Sequence, residues 1–208
     1  REIKDKNFVN FRSSYFEEVE KLVSYLHDKK KLKKFAVFYQ NDNYGEEGYI
    51  ALLSALDKRD LILSAEGTYK RNTLSIRHAF QEIKEAKPQV IMMIGAYKAN
   101  ALFIKKAKEN YNLKNVIFCN ISFGDANAML RELEDSKNII FSQVVPSYAD
   151  TSLPIIKEYH DLMTRYYPGI PYGFISLEAF LAAKTVVYAL QNTSGDITQN
   201  KFLNKIKN

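Results

Sequence analysis

The chain has 208 residues, 46% apolar and 26% charged, with a formal net charge of +6. That length is long for one compact unit and short for two, so one full lobe with part of another is expected. No apolar stretch approaches the roughly 20 residues that a membrane-spanning helix needs, and brief basic runs with scattered lysines exclude a nucleic-acid footprint.

The chain opens on Arg1 with no basic-then-apolar leader, which fits a removed signal peptide or a start lying upstream. Residues 8–12 (FVNFR) read as a short strand. SSYFEEVEKLVSYLHDKK follows as a helix: Ser13 or Ser14 can cap it, acids fill its first turn, and Phe16, Val19, Val23 and Leu26 recur at helical spacing. The densest basic run, KKKLKK at 29–34, stands where that helix should end, a place the helix dipole favours for cations.

Strand and helix then alternate. Strands are predicted near 35–40, 61–69, 89–95, 115–120 and 138–145, with helices near 45–58, 74–86, 98–110 and 126–134. The strands at 35–40, 89–95 and 115–120 are apolar on both faces, as a sheet covered by helices on both sides requires. The expected fold is therefore α/β, a doubly wound parallel sheet with crossovers of one hand. Cys119, the one cysteine, lies inside an apolar strand, forms no intrachain disulfide and reads as a core residue.

After Pro146 only helix signals remain: LPIIKEYHDLMTRYY, then FISLEAFLAAKTVVYALQ, then TQNKFLNKIK. The second of these is apolar around most of its circumference and needs partners on several sides. The five-stranded unit already has its own helices. Residues 1–12 and 147–208 are thus expected to belong to a second lobe whose first half precedes Arg1.

Four of the apolar runs end in loops that mix aromatic and polar residues: FAVFYQNDNYGEEGY, QVIMMIGAYKAN, NVIFCNISFGDAN and NIIFSQVVPSYAD. The carboxyl ends of parallel strands share one sheet edge, so Tyr44, Tyr97, Asn120, Ser122 and Tyr148 are candidates to converge on a small molecule. Catalytic and cofactor signals are missing. His27, His78 and His160 fall in three separate predicted helices, without zinc or triad spacing. The G-E-E-G at 45–48 is neither a dinucleotide loop nor a P-loop. No cofactor, no metal and no nucleic acid is expected, and the protein does not read as an enzyme.

FVNFRSSYFEEVEKLVSYL, KKFAVFYQNDNYGEEGY, TYKRNT, VIMMIGAYKANALFIKKAK, FCNISF, SQVVPSYADTSLPIIKEY and FISLEAFLAAKTVVYAL run in an order that resembles the second half of a type I periplasmic solute-binding protein. The group it resembles contains the branched-chain amino acid receptors of ABC transporters. The resemblance implies two α/β lobes joined by crossing segments, with a solute in the cleft between them. Residues 1–12 would end lobe one, 13–146 would form lobe two, and 147–208 would be the return helices of lobe one.

Each candidate residue carries two readings. Tyr44, after the first lobe-two strand and beside Gly45, offers an aromatic face with a polar tip to a solute, or fills its loop. Ala96 and Tyr97 follow Gly95 and suit a pocket floor and wall, or lobe packing. Asn120 and Ser122 end the next strand, in a loop where amino acid binders of this kind often carry a carboxylate. Here the nearest acid, Asp125, is placed to cap the following helix, so neutral or anionic solutes stand beside amino acids. Arg71 can pair with a carboxylate through its planar fork, or be solvated. By the resemblance, the first crossing lies near Arg12, Ser14 and Tyr15, and Gln143, Pro146 and Tyr148 shape the second as hinge or cleft wall.

The expected function is capture of a small polar solute, an amino acid or related small carboxylate or amide, by hinge closure in a periplasmic or otherwise extracytoplasmic bacterial uptake protein. The expected partner is a membrane permease. The alternatives are a sensor domain coupled to a signalling output domain and, more remotely, an intracellular α/β enzyme.

Overall fold

The structure, a computed structural model, describes residues 7–207. Five strands form one sheet: β1 (Phe35–Asn41), β2 (Ala65–Lys70), β3 (Val90–Ile94), β4 (Ile117–Asn120) and β5 (Ile139–Phe141). Their order is β2-β1-β3-β4-β5 and every pairing is parallel. α1 (Tyr15–Val23) precedes β1, and α2 (Asn43–Asp57), α3 (Arg77–Ala86), α4 (Tyr97–Lys108) and α5 (Ala126–Glu132) run between successive strands.

The period of two along the strands sorts their side chains onto two cores. Phe35, Val37, Val90, Met92, Ile94 and Cys119 face the α1 and α2 side, against Val19, Leu22, Leu52 and Leu56. Ala36, Phe38, Ile91, Met93 and Phe118 face the other way, against Phe80, Ile83, Phe103, Ile104 and Met129 of α3, α4 and α5. The sheet is doubly wound, as the unbroken apolar runs predict. Cys119 is fully buried, and burial pushes its thiol up.

Element ends depart from the sequence reading where hydrogen bonds override apolar pattern. The expected strand at 61–69 starts at Ala65; Ile62 is exposed, and only Ser64 reaches β1 early, its N–H donating to the Phe35 carbonyl at 2.7 Å. The strand at 138–145 shrinks to Ile139–Phe141, after which Ser142 N–H donates to the Asn120 carbonyl (3.0 Å). Residues 8–12 form no strand; an extended segment counts as a strand only when a neighbouring strand pairs with it. Residues 1–6 of the expected 1–12 segment lie outside the described residues. The first helix keeps α geometry to Val23 and widens to a π-helix over Ser24–Lys29, with Lys30 N–H reaching the Tyr25 carbonyl at 3.2 Å. Ser14 is its N-cap, in a capping box with Glu17.

The chain divides into two compact units, one spanning Ser14–Gln143 and the other made of the residues before Ser14 and those from Val144 onward. The second unit holds α6 (Pro154–Tyr166), α7 (Phe174–Gln191) and α8 (Gln199–Lys207). Its small core is Ile156, Tyr159 and Leu177. Tyr159 Oη lies 2.6 Å from Ser176 Oγ and accepts from Gly173 N–H at 3.1 Å, which ties α6 to the start of α7. By length and composition alone α7, 18 residues of mean hydropathy 1.3, suffices to cross a bilayer. This corrects the reading that no apolar stretch comes close. Its two charges are both matched, Glu178 by Arg12 at 3.5 Å and Lys184 by Glu158. Ile175, Val187 and Tyr188 remain exposed on it.

In the first unit Arg59 of the α2–β2 turn joins α2 to the first helix. Its Nη2 pairs with Glu20 at 2.7 Å and Asp28 at 3.0 Å. Hydrogen bonds from Arg59 hold both carboxyls below their ordinary values of 4.5 and 3.8. A carboxyl lowered in the folded state contributes stability above its ordinary value and loses it as pH falls through the lowered one. Arg59→Met should therefore flatten the acid limb of the stability profile, read as urea midpoints at a series of pH values. Parallel wild-type and variant profiles would contradict this.

Candidate functional site

The strand order reverses between β1 and β3, so the loops leaving these two strands diverge to opposite faces and open a crevice at the carboxyl edge. After β1, Asp42 caps α2, its Oδ1 accepting from Gly45 N–H at 3.2 Å. Gly45 packs so closely on β1 that a Cβ there would stand 1.8 Å from the Gln40 carbonyl oxygen. This cap and this contact place Tyr44 in the first turn of α2, facing the edge. Its ring meets Tyr15 edge-on at 5.4 Å and Phe123 at 5.3 Å. The Tyr44 hydroxyl oxygen is buried and finds no hydrogen-bond partner among the described residues. Burial pushes this phenol up, so it stays a neutral donor at physiological pH.

A polar chain links the β1, β2 and β3 ends. Ala96 N–H donates to Tyr69 Oη at 2.8 Å, Tyr69 Oη donates to Gln40 Oε1 at 3.1 Å, and Gln40 Nε2 donates to Asp42 Oδ2 at 2.6 Å. Arg71 stands 3.8 Å from the same Asp42 oxygen, with its side chain 68% exposed. Gly95 is required because a Cβ would fall 2.6 Å from Tyr69 Oη and 2.8 Å from Asn100 Oδ1. Asn100, fully buried, donates from Nδ2 to the Gly95 carbonyl and to Asn120 Oδ1, both at 3.2 Å. Asn100 Oδ1 and Asn120 Nδ2 have no partner among the described residues.

At the end of β4, Ser122 begins a 3-10 turn that leaves Phe123 exposed. Asp125 caps α5, accepting from Ala128 N–H at 3.0 Å. The buried acid at this loop is Glu18 of α1. Its Oε2 accepts from Ser122 N–H (2.9 Å) and its Oε1 from Ser122 Oγ–H (2.9 Å). Among the described residues no group of three His, Cys, Asp or Glu side chains is arranged to hold a metal.

The first unit thus carries Tyr15, Tyr44, Arg71, Ala96, Tyr97, Asn120 and Ser122 at or beside the carboxyl edge of its sheet. They are not equally presented: Ala96 and Arg71 are exposed, Tyr44 and Tyr97 half-buried, Asn120 and Ser122 buried. Ser14 serves as the α1 cap, and Gln143 is the last residue of the unit. Arg12, Pro146 and Tyr148 belong to the other unit, where Tyr148 packs on Phe174 at 4.9 Å and its carbonyl accepts from His160 Nε2 at 2.8 Å. Sequence reasoning missed Gln40, Tyr69, Asn100 and Glu18. Gln40 and Tyr69 sit at strand ends and were open to the edge argument; Glu18 and Asn100 carry no local signal.

A family model described as periplasmic binding protein matches residues 1–208. No curated protein matches the chain by sequence. Among solved structures, a possible leucine/isoleucine/valine-binding protein from Rhodopirellula baltica is similar at 31% identity and TM-score 0.89, over 98% of this chain and 56% of that one. A fatty acid ABC transporter substrate-binding protein from Thermomonospora curvata is similar in fold, at 18% identity and TM-score 0.84 over 99% of this chain and 54% of that one. A leucine-binding protein from Thermotoga maritima shows the same fold at 12% identity and TM-score 0.78, over 94% of this chain and 55% of that one. The chain therefore spans little more than half the length of these proteins. With a doubly wound lobe, an aromatic and polar carboxyl edge, and a family match along its whole length, the chain belongs to the periplasmic binding protein family.

Proposed function

We propose that the chain is the larger part of an extracytoplasmic solute-binding protein of an ABC-type uptake system, which takes up a small polar solute between two lobes and passes it to a membrane permease. The solute is an amino acid or a related small carboxylate or amide. The observation that carries this reading is the family match along the full chain. The edge of β1, β3 and β4 supports it with an aromatic group, Tyr15, Tyr44 and Phe123, beside the Tyr69–Ala96 chain. Ligand contacts to both lobes exist only when the cleft is shut, so differential affinity draws the protein to its closed state. The second unit would be the return part of lobe one, with the exposed face of α7 covered by the sheet of that lobe.

A thermal-shift screen of the full-length protein against amino acids, small carboxylates, amides and aromatic acids tests the reading. A solute supplied well above its dissociation constant should raise the melting temperature. For that solute, Tyr44→Ala should weaken affinity by about tenfold or more, the range of a buried aromatic anchor. Tyr44→Phe separates ring from hydroxyl. It removes a buried unpartnered oxygen and should cost no stability, and it weakens binding only where the solute engages Oη. Unchanged affinity in Tyr44→Ala would remove Tyr44 from the site, and turnover of a substrate by the intact protein would defeat the binding reading itself.

A further inference from the structure

Glu18 is 4% exposed, on the inner side of the first turn of α1. Its carboxylate takes Ser122 N–H on Oε2 and Ser122 Oγ–H on Oε1, and Oε2 also takes Ser142 Oγ–H at 2.5 Å. These three residues come from places that matter together. Ser122 precedes Phe123 of the aromatic group, Ser142 stands one residue before the unit ends at Gln143, and Glu18 itself lies four residues after the unit begins at Ser14. Burying a carboxylate is costly, and apolar packing of the kind that Val19, Leu22 and Val23 provide on the same helix would hold α1 to the sheet without that cost. A carboxylate does what apolar packing does not: it accepts on both oxygens at once and fixes the donors in direction.

We propose that Glu18 is the positioning residue of the solute site, holding the Ser122–Phe123 loop in place and tying it to the points where the chain enters and leaves this lobe. The proposal rests on the solute-binding reading and adds a residue to it. Both hydrogens of Ser122 are committed to Glu18, so Ser122 donates none to a solute carboxylate, and the loop meets the solute through the Phe123 ring. Movement of that ring on binding is carried through Glu18 to Ser14 and Ser142.

The test uses NMR spectra of the full-length protein, first without any solute, for wild type, Glu18→Gln and Ser142→Ala. Glutamine keeps the shape but turns one acceptor into a donor facing donors. In Glu18→Gln the Ser122 amide proton should move upfield and exchange about tenfold faster or more, the loss expected of a charge-assisted hydrogen bond, with shifted Phe123 ring signals. The Val37 and Ile91 amides of the core strands should keep their protection. Ser142→Ala should move the same signals less, and it serves where Glu18→Gln folds poorly. Unmoved Ser122 and Phe123 signals would overturn the proposal, as would equal loss of protection at Val37 and Ile91, the mark of a merely structural role. A second arm titrates the members of the thermal-shift panel, L-leucine among them: a solute bound with equal affinity by wild type and Glu18→Gln also overturns it. A wild type that binds no member of the solute panel overturns the binding reading instead, and the spectra still decide the role of Glu18.

Discussion

Gly45→Ala is expected to lower the stability of the chain by about 3 kcal/mol or more, as overpacking combined with the loss of a helix cap. The added Cβ would stand 1.8 Å from the Gln40 carbonyl oxygen, 2.8 Å from the Gln40 carbonyl carbon and 3.0 Å from the Gln40 nitrogen. All three are backbone atoms of β1, so no rotamer change relieves the contact. The start of α2 must move off the strand, and the Asp42 cap on Gly45 N–H moves with it. A domain is held by only about 5–15 kcal/mol, so this single methyl removes a large part of the margin. Urea unfolding should show a lower midpoint with an unchanged slope. A loss below about 1 kcal/mol, the ordinary level for a point mutation, would mean that α2 and β1 separate easily.

Phe38→Ala should cost about 3–5 kcal/mol, the usual range for a large aromatic truncated in a closed core. Phe38 is fully buried in β1, stacked on Tyr69 at 5.1 Å and packed on Phe103 at 4.6 Å. Its neighbours belong to β2 and α4, so the cavity opens where strands and helix meet and cannot collapse by moving one side chain. The effect reaches the candidate site as well. Tyr69, freed on one face, carries the Oη that accepts from Ala96 N–H. Phe123→Ala is the contrast: with Phe123 57% exposed, its loss should change stability by no more than about 0.5 kcal/mol. Similar midpoints for the two variants would show that the core is not closed at Phe38.

The sheet was legible because helices cover both of its faces and leave strands such as VIMMI unbroken by polar residues. The five strands and the helices between them follow from that pattern and from the caps at Ser14 and Asp125. Strand ends were less legible. LILS reads as strand by propensity, yet only Ser64 of that segment bonds β1, and pairing is a tertiary fact. The apolar spacing at the end of the first helix does not distinguish its π-helix from α geometry.

At the site, Tyr44 and Tyr97 could be named because aromatics after strands stand out against a polar loop. Glu18 could not. Beside Glu17, which closes the capping box, it looks like a second acid serving the helix dipole, and only the folded chain turns one acid outward and the other into Ser122. Asn100 is hidden in the same way: an amide within an apolar helix face gives no sign that it will hold the Gly95 carbonyl and Asn120.

The contacts of Glu18 span 104 residues to Ser122 and 124 to Ser142. Closing loops of that size costs chain entropy that local contacts do not, and a fold that depends on such contacts folds more slowly. Ser122 follows β4 and Ser142 follows β5, so the three hydrogen bonds of Glu18 are complete only when both of the last two strands are in place. The loop that carries Phe123 is therefore held from both ends of this unit's sequence, and a chain cut before Ser142 loses one of the three hydrogen bonds to Glu18.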